Sequence, residues 1–323
     1  MKSILGATVC VVGMSLAAVA TALAAEKGAK LPISVDGREL TTYWYGADLP
    51  KPSFHPLLGP YGVAVTRGYP MADAQPGESQ DHRHHRGLWF AHGDVRPGDQ
   101  PDKHGVDFWG EKGKIVNRNI LHLYASAAHT SPFAIVNDYL APDGKKMFEE
   151  TQRVQVRDAA PGKLMTFEIT LKASEGPIVF GDNKEGTFAL RVADSMKGTQ
   201  GGTIENSKGA VGEPKCWGKQ AEWCDYSGIV AGKRVGVAIF DHPSNFRQAY
   251  WHVRAYGLFS ANPFGSKSYS GGKEPDGSYR LEKDQTLTLR YAVYIHPGDV
   301  REGKVAERYR EYAGASAAAR GKQ

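Results

Sequence analysis

Between Glu78 and Glu111 the sequence reads ESQDHRHHRGLWFAHGDV, then a basic and prolyl loop, then HGVDFWGE. Five of the chain's eleven histidines, His82, His84, His85, His92 and His104, fall within these residues, beside Asp81, Asp94, Asp107 and Glu111. Imidazole changes its charge near neutral pH, which suits it to proton transfer and, when neutral, to metal ligation. Burying so many rings in an apolar core would be costly, because each needs a hydrogen-bond partner. Trp89, Phe90, Phe108 and Trp109 run through the same stretch and would give these polar groups apolar walls. The composition is that of a site.

Three chemistries fit it. In the first, His84 or His85 is a general base and Glu111 or Glu185 the partner acid, with His92 as a further catalytic candidate. In the second, the stretch only binds: Arg83 and Arg86 flank the rings and would hold an acidic ligand. In the third, His82 and His84 lie two apart, so on a strand both rings point to one face and could reach one divalent metal ion. A third ligand would then come from Asp81, His92, Asp107 or Glu111. No cofactor is otherwise indicated.

Other residues would bind substrate. Lys184, Glu185 and Arg191 lie in GDNKEGTFALR; Glu185 and Arg191 share strand parity, but six residues of strand separate them by roughly 20 Å. Trp217 and Asp225 lie in CWGKQAEWCDYS, whose aromatics and charges suit either a carbohydrate platform or packing around a disulfide. Asp241 and His242 end a strand at a Pro turn, a common position for site residues. Arg86, Asp107, Lys184, Arg191, Trp217, Asp225 and His242 form the candidate binding set. No G-x-S-x-G elbow, phosphate-binding glycine loop or dinucleotide fingerprint is present, which excludes the commonest serine hydrolases and nucleotide enzymes.

The elements that must position these residues are strands. Leu31 to Gly46 reads as a hairpin turning at Asp36-Gly37. Pro142-Asp143-Gly144 and Ala160-Pro161-Gly162 are turn signals, and Thr151 to Val156 and Thr166 to Leu171 alternate at period two. Ile178 to Val192, Val235 to Asp241 and Thr286 to Ile295 add further strands. Only Gly303 to Ala313 reads as a helix, with Val305, Tyr309 and Tyr312 on one face. The expected fold is all-β: one large antiparallel sandwich over residues 25–314, one short C-terminal helix and a flexible tail at 315–323.

Residues 1–24 read as a secretory signal: Lys2, an apolar run from Ile4 to Ala22, and a small-x-small cleavage site at Ala22-Leu23-Ala24. Removing them takes away one Lys and moves the formal charge from +5 to +4. The expectation is a periplasmic or secreted protein with no membrane insertion after cleavage and no nucleic-acid footprint. In an oxidising compartment Cys216 and Cys224 would close a local disulfide around WGKQAEW, with free thiols or a metal pair as the competing readings.

The segments SFHPLLGPYGVAVTRGYPM, DHRHHRGLWFAHGDV, GVDFWGE, KEGTFALRVADSM, CWGKQAEWCDYSG and VGVAIFDHPSN…WHVRAYGLFSANPFG resemble an exported bacterial family labelled PmoA, or methane oxygenase PmoA-like. The resemblance spans residues 40–296. The label itself conflicts with the chain, since a methane monooxygenase subunit spans the membrane and this mature chain has no spanning segment. The resemblance instead implies association with glycan-degrading systems and a supersandwich like that of galactose mutarotases. It points to a carbohydrate substrate and to a lyase, hydrolase or epimerase, with a non-catalytic glycan-binding protein or a metal-dependent oxidative enzyme as alternatives.

Overall fold

The computed structural model describes residues 25–100, 104–122 and 132–320. Residues 1–24, expected to be a secretory signal, and residues 321–323 lie outside them.

Every strand pairing among the described residues is antiparallel, and the long strands form two sheets. The first has seven strands, in the order Lys30–Val35, Arg38–Trp44, Ser53–Leu57, Leu88–Phe90, Phe188–Arg191, Leu258–Asn262 and Tyr250–Val253. The second has eight, in the order Thr203–Asn206, Trp223–Val230, Lys233–Asp241, Thr286–Pro297, Gly162–Lys172, Lys146–Ala159, Phe133–Leu140 and Lys114–His122. Three short strands, Tyr279–Leu281, Ile178–Phe180 and Val95–Pro97, make a third, small sheet. The expected hairpin turns at Asp36-Gly37, and Pro142 to Gly144 and Ala160-Pro161 fall between strands as their turn chemistry requires.

The two large sheets pack face to face through aromatic rings. Phe54 and Phe188 of the first meet Phe167 of the second at 5.4 and 4.9 Å, and Phe188 stacks on Tyr291 at 4.9 Å. Offset and edge-on pairs at these separations are favourable beyond the apolar area they bury. Alternation then decides the rest: Phe188 and Leu190 point into the sandwich, so Ala189 and Arg191 must point out of it.

The outer face of the eight-stranded sheet is covered by the helix Val305–Arg320. Val305, Tyr309 and Tyr312 recur at helical spacing and pack on Trp223, Phe240, Ala292 and Tyr294. This helix runs past Ala313, so the alanines up to Arg320, expected to be a flexible tail, are helical; alanine is the strongest helix former. The disulfide expectation is also corrected. Cys216 and Cys224 are buried free thiols in the sandwich core, and the Cys216 thiol donates to the Ala210 carbonyl at 3.2 Å.

Candidate active site

The outer face of the seven-stranded sheet carries the histidine stretch. Trp89, Ala189, Ser260 and His252 stand opposite one another on four adjacent strands and form one cross-strand row. Trp89 and His252 end that row roughly 14 Å apart, three strand spacings. The small residues between them leave room that Trp109 fills: its ring lies 5.1 Å from Trp89 and 6.4 Å from His252. Trp109 is held there by a turn over residues 107–112, in which the His92 carbonyl accepts from the backbone of Phe108 and Trp109.

His82 to His85 form a turn, closed by the His85 N–H donating to the His82 carbonyl at 2.9 Å. The sequence expectation of a strand with His82 and His84 on one face is therefore corrected. Gly87 makes the entry to the next strand possible, because its φ is +64° and a Cβ there would lie 2.4 Å from the Phe54 carbonyl. The rings of Tyr256, His82, His85 and Trp89 follow one another nearly parallel, with centroids 4.8, 4.8 and 5.3 Å apart. His84 crosses this series edge-on, 4.5 Å from His85. His82 and Glu111 both have left-handed backbone, at φ +43° and +64°, a conformation costing roughly 1–3 kcal/mol in residues other than glycine.

Two charge networks fix these rings. Arg191, wholly buried, donates to Asp81 at 2.7 Å and to His85 Nδ1 at 3.2 Å, while Arg67 donates to the same Asp81 oxygen. A guanidinium can only donate, so His85 Nδ1 must accept and the ring proton sits on Nε2. The second network is Arg86, Lys51 and Glu111. Arg86 grips the Glu111 carboxylate through two bonds of 2.6 and 3.2 Å, and the buried Lys51 ammonium lies 3.4 Å from it. Lys51 also donates to the Trp109 carbonyl at 2.7 Å.

These surroundings set the protonation states. Burial, and next the Lys51 charge, drop the His84 pKa to about 4, and burial pushes His85 well below its ordinary value. Both rings are thus neutral at pH 7. Burial acts to raise Glu111, but the Arg86 hydrogen bonds and Lys51 outweigh it and hold the carboxyl below its usual range. Glu111 is therefore a fixed anion, poorly suited to giving up a proton. Glu185 is the opposite case: burial raises it, Lys184 opposes and Asp107 adds to the rise. Its carboxylate lies 3.8 Å from His252 Nδ1, and its side chain remains one-third exposed. Burial, followed by the charges of Arg254 and Lys184, lowers His252 to about 4.

Of the residues nominated from sequence, His82, His84, His85, Arg86, Glu111 and Arg191 share this assembly. Glu185 and Trp217 join it through His252, which Trp217 meets edge-on at 6.5 Å. Lys184 and Asp107 act on Glu185 by charge, although Asp107 also accepts from the Gly110 N–H within its own turn. His92 lies apart: its Nε2 bonds the Gly181 carbonyl at 2.8 Å and its ring packs on Phe180 and Phe264. Asp225 is on the other sheet, buried against His296 at 2.7 Å. His242 holds the turn at Ser244 and packs on Tyr312 of the C-terminal helix. The metal reading lacks its third ligand: among the described residues no three His, Cys, Asp or Glu side chains are arranged to hold an ion.

Lys51, Arg67, His252 and Tyr256 were not in the nominated set. His252 and Tyr256 both lie in the motif WHVRAY and Arg67 lies in SFHPLLGPYGVAVTRGYPM, but nothing local marks either cation; Lys51 and Arg67 are single residues whose partners lie further along the chain.

The class defined so far is an antiparallel β-sandwich with a histidine, carboxylate and aromatic site on the outer face of one sheet. The chain belongs to the family of unknown function DUF6807, whose model matches residues 30–310. No curated protein matches it. Among solved structures it is similar to a polysaccharide lyase, with 12% identity and a TM-score of 0.35 over 86% of this chain and 34% of that one. It is also similar to the galactosidase domain of an α-galactosidase–sucrose kinase, with 10% identity and a TM-score of 0.40 over 83% of this chain and 41% of that one. The chain thus spans well under half the length of either. No described helix is long and apolar enough to cross a membrane.

Proposed function

We propose that this protein is an exported carbohydrate-active enzyme of the lyase, hydrolase or epimerase type, working by proton transfer between substrate, His84 and Glu185. The observation that carries the reading is the division of labour in protonation. His84 is neutral and half-buried, able to take a proton, while Glu185 is the half-buried carboxyl whose pKa is raised, able to give one. Groups whose surroundings push their pKa values towards opposite tasks are what acid–base catalysis requires. The partly exposed edges of the His82 and Tyr256 rings can border a sugar, and the cations behind them favour negative charge developing on it. Glu111, one of the two acids expected from sequence, serves here to hold Arg86 and Lys51.

The test is turnover of a panel of glycosides, keto-glycosides and uronate-containing glycans by the wild type and by Glu185→Gln and His84→Ala. We expect each variant to lose about 10²–10⁴-fold in kcat while its thermal unfolding is unchanged. Glycan binding without turnover, equal in all three proteins, would make the chain a binding protein instead.

A further inference from the structure

Beside the site lies a cleft of about 550 Å³, lined by Thr203, Ile204, Val211, Glu213, Trp217 and Arg254 together with glycines 198, 202 and 212. It borders the site through two residues. Trp217 lines the cleft and also meets His252 edge-on at 6.5 Å, and the Arg254 guanidinium lies 5.8 Å from the Tyr256 ring. Its walls are tied together. The buried Tyr226 hydroxyl accepts the Gly198 N–H at 2.8 Å and reaches the carbonyls of Ala255 and Arg254 at 3.0 and 3.2 Å. Glu213 accepts the Ala255 N–H at 2.5 Å and pairs with Arg254 at 3.2 Å.

The geometry points to a second sugar subsite in this cleft, so that the substrate is an oligosaccharide of at least three units rather than a monosaccharide or a simple glycoside. This rests on the carbohydrate reading above and extends it along the chain of the ligand. The volume falls in the range of small-molecule sites and exceeds what one ring needs. The lining also matches the ligand's two kinds of surface. Trp217, Ile204, Val211 and Pro214 offer apolar contact to ring C–H faces, while Glu213, Arg254 and Thr203 offer acceptors and donors to hydroxyls. Glu213 and Arg254 are partly exposed, at 27% and 40%, so a ligand reaches them without breaking the fold. Gly212, at φ +86°, has a conformation that side chains rarely adopt.

Val211, half-exposed at the cleft, allows a clean test, because a larger side chain there fills the space without disturbing the core. Binding of α- and β-glucan, galactan, xylan and uronan ladders of two to six units would be measured in the Glu185→Gln protein, with and without Val211→Trp. We expect about tenfold tighter binding of four units than of two on at least one ladder. Val211→Trp should remove that gain and leave the two-unit affinity as it was. Affinity independent of length, a length effect that survives Val211→Trp, or no binding to any ladder would overturn the subsite. Because binding is read in a catalytically impaired protein, failure of the acid–base scheme shows in the turnover screen and failure of the subsite shows here.

Discussion

At the scale of residues, the site works by burial set against charge. His84 and Glu185 begin with reference pKa values of 6.5 and 4.5 and are driven past each other, His84 down to about 4 and Glu185 up. A base must be deprotonated and an acid protonated, so kcat/KM should rise as pH climbs through about 4 and fall again above the raised pKa of Glu185. We therefore expect a bell whose acid limb lies near pH 4 and whose alkaline limb follows the raised pKa of Glu185. Glu185→Gln removes its alkaline limb from whatever activity remains, and a wild-type profile flat from pH 4 to 8 would contradict the assignment. The histidine cluster was legible in the sequence because five rings in so short a span have few other uses. Lys51 and Arg67 were not legible. Each is a lone cation in a Pro- and Gly-rich stretch, and its burial depends on carboxylates that lie 60 and 14 positions further along.

At the scale of elements, alternation and turn chemistry were enough to locate most strands, including the long run from Thr286, because period-two burial is imposed by the sheet itself. The turn at His82 to His85 escaped that logic. The Leu88-Trp89-Phe90 run that follows it is strand-like in composition, but the conformation is set by the Arg191–Asp81 contact from elsewhere in the fold. The C-terminal helix was legible through its three-residue apolar face, and its end was not, since alanine extends a helix without needing partners. That face gives a prediction. Tyr309→Ala should cost about 2–4 kcal/mol, measured by urea unfolding, because it opens a cavity beneath the edge-on contact of Tyr309 with Phe240 at 5.6 Å. Truncation after Gly314 keeps Val305, Tyr309 and Tyr312 and should cost under 1 kcal/mol. Equal losses in the two variants would mean that the tail, not the tyrosine face, secures the helix.

At the scale of the whole molecule, the buried histidines make stability depend on pH. His55, His92 and His252 each have a folded pKa of about 4 against 6.5 when free, with burial as the leading cause. Between those values the unfolded chain binds more protons than the folded one, so stability rises with pH across this window and is lost as pH falls. Three such groups give a slope of up to about 4 kcal/mol per pH unit near pH 5. His296 has the opposite sign: its pKa is raised despite burial, through Asp225, and its contribution is present at low pH and lost as pH rises through the folded value. The urea midpoint should therefore fall steeply from pH 7 to pH 5, and an unchanged midpoint would mean these rings are already charged in the native state. The acid side of the activity window is then bounded by unfolding as well as by chemistry.

The Asp81 carboxylate, gripped by Arg67 and Arg191, bears on how such a sequence can change over generations. Replacing either arginine leaves one ion pair intact. Replacing the aspartate leaves two guanidinium groups, each with almost no solvent, facing one another. The three positions therefore do not vary independently: an arginine can be lost first and the aspartate afterwards, but the reverse order passes through an intermediate with two stranded like charges. Descendants of this chain that keep Asp81 with a single arginine should thus be far commoner than those that keep both arginines without it.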